Sequence, residues 1–268
     1  MRVTFDSNVW RIVASPQIFP NEPFLKSFKT IRASICNGQL TPCIAETVFT
    51  LEALQRSDRK EFLSKYKPKI DFSEHVRQNG VIELSFTIKP NPSLHPRNTA
   101  HLSTHLQHAL ALGFKLLRCP RVANLKNPDI PDSYFLSYSS LADAAQRLGK
   151  YNQCLREIED RGCGIHHIKK IGQKFSPAGT LWFDGLTNMP DDKGALVSKA
   201  VAEWADGDAV AAHVGYDNDY FCTRDIGKSA GPDSILSEAN RAWLKSKFGV
   251  IFATQEELAA ILSNISSE

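Results

Sequence analysis

The sequence predicts an α/β fold in which a parallel, doubly wound sheet is flanked by helices, with a mostly helical insertion in the middle of the chain. Short β-prone runs alternate with helical patterns at both ends of the chain, which favours a parallel sheet. The runs that begin at Arg2 and Tyr220 are built alike, because each is followed by an aspartate, Asp6 or Asp225. The stretch between them contains many glycine and proline breaks and is less regular.

The N-terminal elements follow from local signals. A strand is expected at 2–5, and a helix at 24–36 because Pro lies just inside its start and Asn37-Gly38 just past its end. A second strand is expected at 39–42. A helix is then expected at 45–56, where apolar residues recur.

The middle of the chain gives weaker signals. It predicts strands at 81–86 and 115–119 and helices at 99–112 and 141–161. The stretch 89–96 must be extended or a loop, because each of its prolines biases the preceding residue away from helix.

The last third is again regular. A helix is expected at 195–205, a break at Asp206-Gly207, and a new helix from Asp208, whose carboxylate would lie in the first turn where the helix dipole favours it. The remaining expected elements are a strand ending at Asp225, a helix at 235–247, a strand at 250–253 and a closing helix from Thr254.

The composition is that of an ordinary globular protein, with 42% apolar and 23% charged residues in a chain of 268. No apolar run reaches the ~18 residues of a membrane span and no signal-peptide core is present, so we expect a cytoplasmic protein without a membrane partner. The six cysteines lack C-x-x-C spacing, which argues against a zinc ribbon or a redox motif. A net charge of +3 permits nucleic-acid binding without requiring it.

Asp6 and Asp225 are the first candidate site residues. If the two strands that precede them are neighbours in a parallel sheet, both acids lie in the crevice outside the strand C-termini, where α/β folds place ligands. Carboxylates gathered without matching bases repel one another, so such a site calls for a divalent cation.

Four segments together resemble the PIN-domain nucleases. They are FDSNV at 5–9, TLEAL at 50–54, DAVAA at 208–212 and TRD at 223–225. In that family an acid ends the first strand, a second lies on an early helix, a third opens a late helix, and a fourth follows a strand in a Thr-x-Asp element. The segment FGVIFATQEEL at 248–258 is similar as well.

The resemblance implies a Rossmann-like, PIN-type fold in a single domain covering 1–268. Residues 1–56 and 196–262 would form its core, and about 58–195 an insertion or elaborated cap. It also implies a ribonuclease that uses Mg²⁺ or Mn²⁺ to hydrolyse RNA phosphodiester bonds, a reaction in which such an ion activates water and neutralises growing charge.

The resemblance assigns roles to particular residues. Asp6, Glu52, Asp208 and Asp225 would hold the ion or ions, with Glu46 as the fallback for Glu52 and Asp206 as the fallback for Asp208. Glu46 and Glu52 are six residues apart, about 120° round a helix, so only one of them is expected to face the ion. Ser7, Asn8 and Thr223 would orient the acids or bind phosphate, or else cap helix and turn backbone.

RNA is the expected substrate, and two basic clusters are candidates for contacts with it. One contains Lys65, Lys67 and Lys69 and the other Lys169 and Lys170, although either cluster could equally be a solvated face. Many PIN relatives are toxins of toxin–antitoxin pairs, so an antitoxin or a second copy of the chain is a candidate protein partner.

Three alternatives remain open. A PIN-like module without cleavage activity would bind RNA or a protein partner. A phosphatase of the haloacid-dehalogenase type also begins with a strand that ends in Asp, but it needs a second acid where this chain has Asn8. His101, His105 and His108 share one helical stripe, which predicts either a zinc site or the polar side of an amphipathic helix.

Overall fold

The computed structural model describes residues 1–65, 69–77, 80–89, 102–122, 130–228 and 230–265. The strands are β1 (Arg2–Phe5), β2 (Thr41–Ala45), β3 (Lys69–Val76), β4 (Ile82–Lys89), β5 (Lys115–Leu117), β6 (Tyr220–Cys222) and β7 (Phe252–Ala253). The helices are α1 (Ser7–Ala14), α2 (Leu25–Cys36), α3 (Arg59–Lys65), α4 (Leu102–Leu112), α5 (Leu141–Asp160), α6 (His166–Gln173), α7 (Trp182–Asn188), α8 (Gly194–Gly215), α9 (Glu238–Phe248) and α10 (Gln255–Ile265).

Five of the strands form one parallel sheet in the order β5-β2-β1-β6-β7. The chain builds outward from β1 to β2 and β5 on one side and then returns to add β6 and β7 on the other. The strand order therefore reverses between β1 and β6, and such a switch point leaves a crevice outside the strand C-termini. The predicted α/β class with a parallel sheet flanked by helices is confirmed.

Alternating side chains of the strands supply the two faces of the sheet. Val3 and Phe5 of β1 pack into a core covered by α1, α2, α4 and α10, around Trp10 and Phe28. Phe221 of β6 packs into the opposite core, which α5, α6 and α8 cover. Helices on both faces bury the sheet, and its carboxyl edge is where ligands can reach it.

The expected break in the late helix is wrong, because α8 continues unbroken through Asp206-Gly207. Glycine inside a helix costs about 1 kcal/mol relative to alanine, so packing must offset that cost. A Cβ on Gly207 would lie 3.1 Å from Cα of Gly164, so its absence allows the loop before α6 to approach α8 closely.

The expected helix at 45–56 is also wrong. β2 extends to Ala45, and only a 3₁₀ helix, Glu46–Val48, follows before the chain turns. The Thr50 hydroxyl donates to the Glu46 carbonyl at 2.9 Å, and such local bonding competes with a continuing helix. Leu51 and Leu54 are buried by this compact turn.

The segment 58–195 is only partly an addition to the core. β5 lies in it and is an edge strand of the sheet, parallel to β2, while α4 packs on α1. β3 and β4 form a separate antiparallel hairpin. The proline-rich residues 90–96 lie outside the described residues. In the part of the chain that the structure describes, no helix is long and apolar enough to cross a membrane.

Candidate active site

A cleft of about 610 Å³ opens at the carboxyl ends of β1 and β6, where the strand order reverses. Four carboxylates line it, contributed by four separate parts of the chain: Asp6, Glu52, Asp206 and Asp225. Three of these are the acids that the sequence predicted as ligands. The fourth is Asp206, the fallback.

Asp6 follows β1 directly and is fixed by three hydrogen bonds. Its carboxylate accepts from the Ser7 backbone N–H at 2.6 Å, from Asn8 Nδ2 at 2.9 Å and from Thr223 Oγ1 at 2.5 Å. Asn8 also accepts from the backbone N–H of Arg224 at 3.1 Å. These bonds join the ends of β1 and β6, and Asn8 and Thr223 hold the Asp6 carboxylate through them.

Asp225 is held by the turn that follows β6. Its N–H donates to Thr223 Oγ1 at 3.0 Å, and its Oδ1 accepts from the Gly227 N–H at 2.8 Å. Gly227 has a φ of 73°, and a Cβ there would lie 2.6 Å from the backbone N of Ser237. Only glycine fits this position, so the turn fixes the direction of the Asp225 carboxylate.

Glu52 enters the cleft from the turn after the 3₁₀ helix. Burial, and then the nearby Asp6 carboxylate, raise the pKa of Glu52 from its ordinary 4.5 to about 7, although a hydrogen bond with Ser7 and the charges of Arg59 and Arg11 oppose the rise. Glu52 therefore holds its proton close to neutral pH.

Asp206 enters from the middle of α8. Burial raises the pKa of Asp206 well above its ordinary range, and the carboxylates of Asp6, Glu203, Glu52 and Asp225 raise it further. Burial likewise raises the pKa of Asp6, to which Asp225 adds, while the bond from Thr223 opposes it. The negative charges of the four cleft carboxylates therefore repel one another.

Asp208 does not belong to this group, so its expected role as a ligand is wrong. It is fully buried. Its carboxylate accepts hydrogen bonds from Arg121 Nε at 3.0 Å, from Arg121 Nη2 at 2.9 Å and from the Tyr151 hydroxyl at 2.8 Å. Arg121 also bonds Glu159 of α5. Through Arg121, these two ion pairs connect the segment after β5 to Asp208 of α8 and to Glu159 of α5.

Glu46, the alternative to Glu52, is also placed elsewhere. It is fully buried and accepts from the Cys119 backbone N–H at 2.8 Å, and burial raises its pKa. Of the two glutamates, only Glu52 faces the cleft.

The cationic side chains at the cleft are arginines that sequence reasoning did not select. Arg11 and Arg56 are exposed and line the cleft, whereas Arg59 is buried and donates to the carbonyls of Leu54 and Ser198. Arg11 lies one helical turn after Ser7, so its spacing could have revealed it. Arg56 lies in a turn, and no periodic signal marks it.

The predicted lysines lie away from the cleft wherever the structure describes their side chains. Lys65 pairs with Glu61 at 2.6 Å, Lys169 pairs with Glu159 at 2.6 Å, and Lys170 is exposed on α6. Lys67 and the side chain of Lys69 lie outside the described residues.

The two described histidines of the stripe, His105 and His108, make contacts within the fold. His105 lines the cleft beside Phe19, and His108 Nδ1 lies 2.7 Å from the Ser15 hydroxyl. His101 lies outside the described residues. Across the described ranges, no group of three or more His, Cys, Asp or Glu side chains is arranged to hold a metal ion.

No family model matches this chain, and neither does any curated protein or solved structure with which it was compared. Its function must therefore be inferred from the chemistry of the cleft. The cleft offers oxygen donors from four carboxylates that repel one another. Two exposed arginines line the same cleft.

Proposed function

We propose that this chain is a PIN-like ribonuclease that hydrolyses RNA phosphodiester bonds with Mg²⁺ or Mn²⁺. Asp6, Glu52, Asp206 and Asp225 are the carboxylates that would hold the ion or ions. Asp206 takes the place that the sequence resemblance gave to Asp208, and the other three keep their proposed roles.

One observation carries the proposal. Four carboxylates from separate segments line one cleft at the switch point of a parallel sheet, and their mutual repulsion acts together with burial to raise the pKa of Asp206, Glu52 and Asp6. Like charges that are held together although they repel one another and shift their own pKa values are typical of a functional site rather than of a structural ion pair.

The chemistry of the donor set suits a hard divalent cation, but the four described acids do not form a ligand cluster as they stand, so their side chains would have to close around the ion. Mg²⁺ and Mn²⁺ prefer carboxylate oxygen, and Mg²⁺ keeps several of its own waters, so two or three protein oxygens suffice to bind it. Such an ion would supply an activated water and neutralise charge that grows on the phosphate. The Arg121–Asp208 pair does not fit, because an internal guanidinium already neutralises that acid.

The chain's own side chains prepare the cleft for this chemistry. Asn8 and Thr223 hold the Asp6 carboxylate in place, and the Gly227 turn holds that of Asp225. The exposed guanidinium groups of Arg11 and Arg56 would contact RNA phosphates on either side of the reacting one. Phosphate binding by these two residues replaces the role proposed for the lysines.

Cleavage of labelled single-stranded RNA by the purified protein tests the proposal. We expect cleavage with Mg²⁺ or Mn²⁺, none with a chelator, and at least a ~10²-fold loss in Asp6→Asn and Asp206→Asn, the scale of removing one electrostatic contact to a transition state. The matched control is Asp192→Asn, an exposed aspartate away from the cleft. Full activity in both cleft variants would contradict the mechanism.

A binding measurement tests the ion separately from the reaction. Ligand binding to the native state stabilises it by about 3 kcal/mol at a hundredfold excess over Kd, so Mn²⁺ should raise the melting temperature of the wild type. Asp206→Asn should lose most of this increase, whereas Asp192→Asn should keep it. An equal increase in all three proteins would mean that Mn²⁺ binds elsewhere.

A further inference from the structure

The cleft has a second wall that the acids do not explain. It is lined by Ile18 and Phe19, at the end of the 3₁₀ helix Pro16–Ile18, and by Leu102 and His105 of α4. The rings of Phe19 and His105 are stacked, with centroids 5.8 Å apart and planes at 24°. Trp10 closes the back of this wall, with its ring nearly perpendicular to that of His105 at 6.5 Å.

This wall presents apolar surface to solvent at the mouth of a charged cleft. Ile18 is 48% exposed, and Phe19 and His105 are half-buried although they line the cleft. The buried indole N–H of Trp10 finds no acceptor among the described residues. Metal binding by carboxylates does not require the side chains of this wall. They indicate that another part of the ligand is flat and apolar.

The size and charge of the cleft indicate what the flat, apolar part of the ligand is. A volume of about 610 Å³ lies within the range of roughly 300–1,000 Å³ typical of small-ligand sites. Besides the four acids, the cleft is lined by the exposed guanidinium groups of Arg11 and Arg56, which can bind phosphates, and by the Phe19 and His105 rings, which offer an aromatic surface. A nucleotide unit of a single strand has all three complementary features.

We propose that Ile18, Phe19 and His105 form a subsite for one unstacked nucleobase of the RNA strand beside the reacting phosphate. This inference rests on the proposed ribonuclease function and adds a subsite to it. The base lies against the Phe19 and His105 rings and Ile18 covers its edge, so the subsite fixes the register of the strand. Bases held in a duplex cannot reach it without unpairing.

Binding of two probes to a cleavage-deficient protein tests the subsite. In an Asp206→Asn background with Mg²⁺, the affinities are measured for labelled oligoadenylate and for an oligomer of equal length that carries no bases. Base stacking on one aromatic side chain corresponds to about a 5- to 150-fold change in affinity. Phe19→Ala should therefore weaken oligoadenylate binding by that factor and leave the baseless oligomer unchanged.

Matched variants separate stacking from a general loss of structure. Ile18→Ala is the second test, because Ile18 is exposed and its truncation leaves the core intact. Its control is Ile251→Ala, 45% exposed, and the control for Phe19→Ala is Phe24→Ala, 38% exposed; neither control lines the cleft. Both controls should bind both probes like the background protein.

The outcomes distinguish this inference from the function on which it rests. If wild type cleaves RNA but Phe19→Ala and Ile18→Ala bind both probes like their controls, the subsite is overturned and the ribonuclease stands. If base-dependent binding is lost in these variants while wild type cleaves nothing, the subsite is supported and the ribonuclease is overturned. Equal affinity of the unsubstituted background for both probes overturns the subsite in either case.

Discussion

Replacing Glu52 with Gln should stabilise the protein at alkaline pH when a chelator removes divalent ions. Glu52 is held among other acids, where burial and the Asp6 carboxylate raise its pKa to about 7. Glutamine keeps the shape and the capacity to bond with Ser7 but cannot ionise. The variant therefore removes a repulsive charge without emptying the site.

The magnitude follows from the difference between the native pKa and the ordinary one. A tenfold change in proton affinity corresponds to about 1.4 kcal/mol, so a rise from 4.5 to about 7 corresponds to about 3 kcal/mol. Below pH 4.5 Glu52 is protonated in both the folded and the unfolded state, so its ionisation does not lower the stability of the wild type. Between 4.5 and 7 only the unfolded state loses the proton, so wild-type stability falls as pH rises. Above 7 the full penalty of about 3 kcal/mol is present.

Urea unfolding at a series of pH values measures this difference, because the free energy of unfolding extrapolates linearly to water. The stability gain of Glu52→Gln over wild type should be close to zero at pH 4 and should rise to about 3 kcal/mol by pH 8. Glu74→Gln, on the exposed hairpin, is the matched control and should follow the wild type. A gain that is absent at pH 8, or equal at both pH values, would refute the electrostatic account of the cleft.

Four further predictions concern other parts of the chain. Arg121→Met leaves Asp208 buried without its base and should lower the free energy of unfolding by about 3–5 kcal/mol, which denaturant unfolding measures. Thr223→Val removes the hydroxyl bond to Asp6 and should cost about 1.5–3 kcal/mol in the same assay when Asp6 is ionised. Burial lowers the pKa of His213 from 6.5 to about 3, so acid destabilises the native state between these values by about 1.4 kcal/mol per pH unit, and His213→Gln should flatten that part of the stability profile. If the ribonuclease acts as a toxin, expression in a bacterial host should arrest growth, and Asp206→Asn should relieve the arrest while Asp192→Asn does not.

The sequence predicted the elements whose signals are local. The strand at Arg2–Phe5 and the helix with proline near its start and Asn37-Gly38 at its end lie where they were expected. The strand expected to end at Asp225 is present as well, but it ends three residues earlier, at Cys222. These signals act within a few residues of the chain. The sheet edge that gathers Asp6 and Asp225 could therefore be inferred before the strand order was known.

The errors occurred where tertiary contacts override local propensity. The helical pattern at 45–56 gave way to a turn that buries Leu51 and Leu54 and returns Glu52 to the cleft. The strand expected at 115–119 is confirmed by β5, but its place in the main sheet beside β2 was not expected, because the residues around it were assigned to an insertion or cap. The arginines at the cleft mouth come from different elements, and no linear spacing connects them.

The choice between Asp206 and Asp208 shows how a helix determines which acid can bind an ion. Two residues apart on a continuous helix, the side chains point about 160° away from each other, so only one of them can face the cleft. The apolar run after Asp208 seemed to favour it, but Val210, Ala211 and Ala212 are fully buried, and an acid beside them is directed into the core. An acid there needs an internal base, which Arg121 supplies. A ligand acid must instead lie on the side of the helix that faces the cleft, and Asp206 lies there, one turn after Ala202, which also lines the cleft.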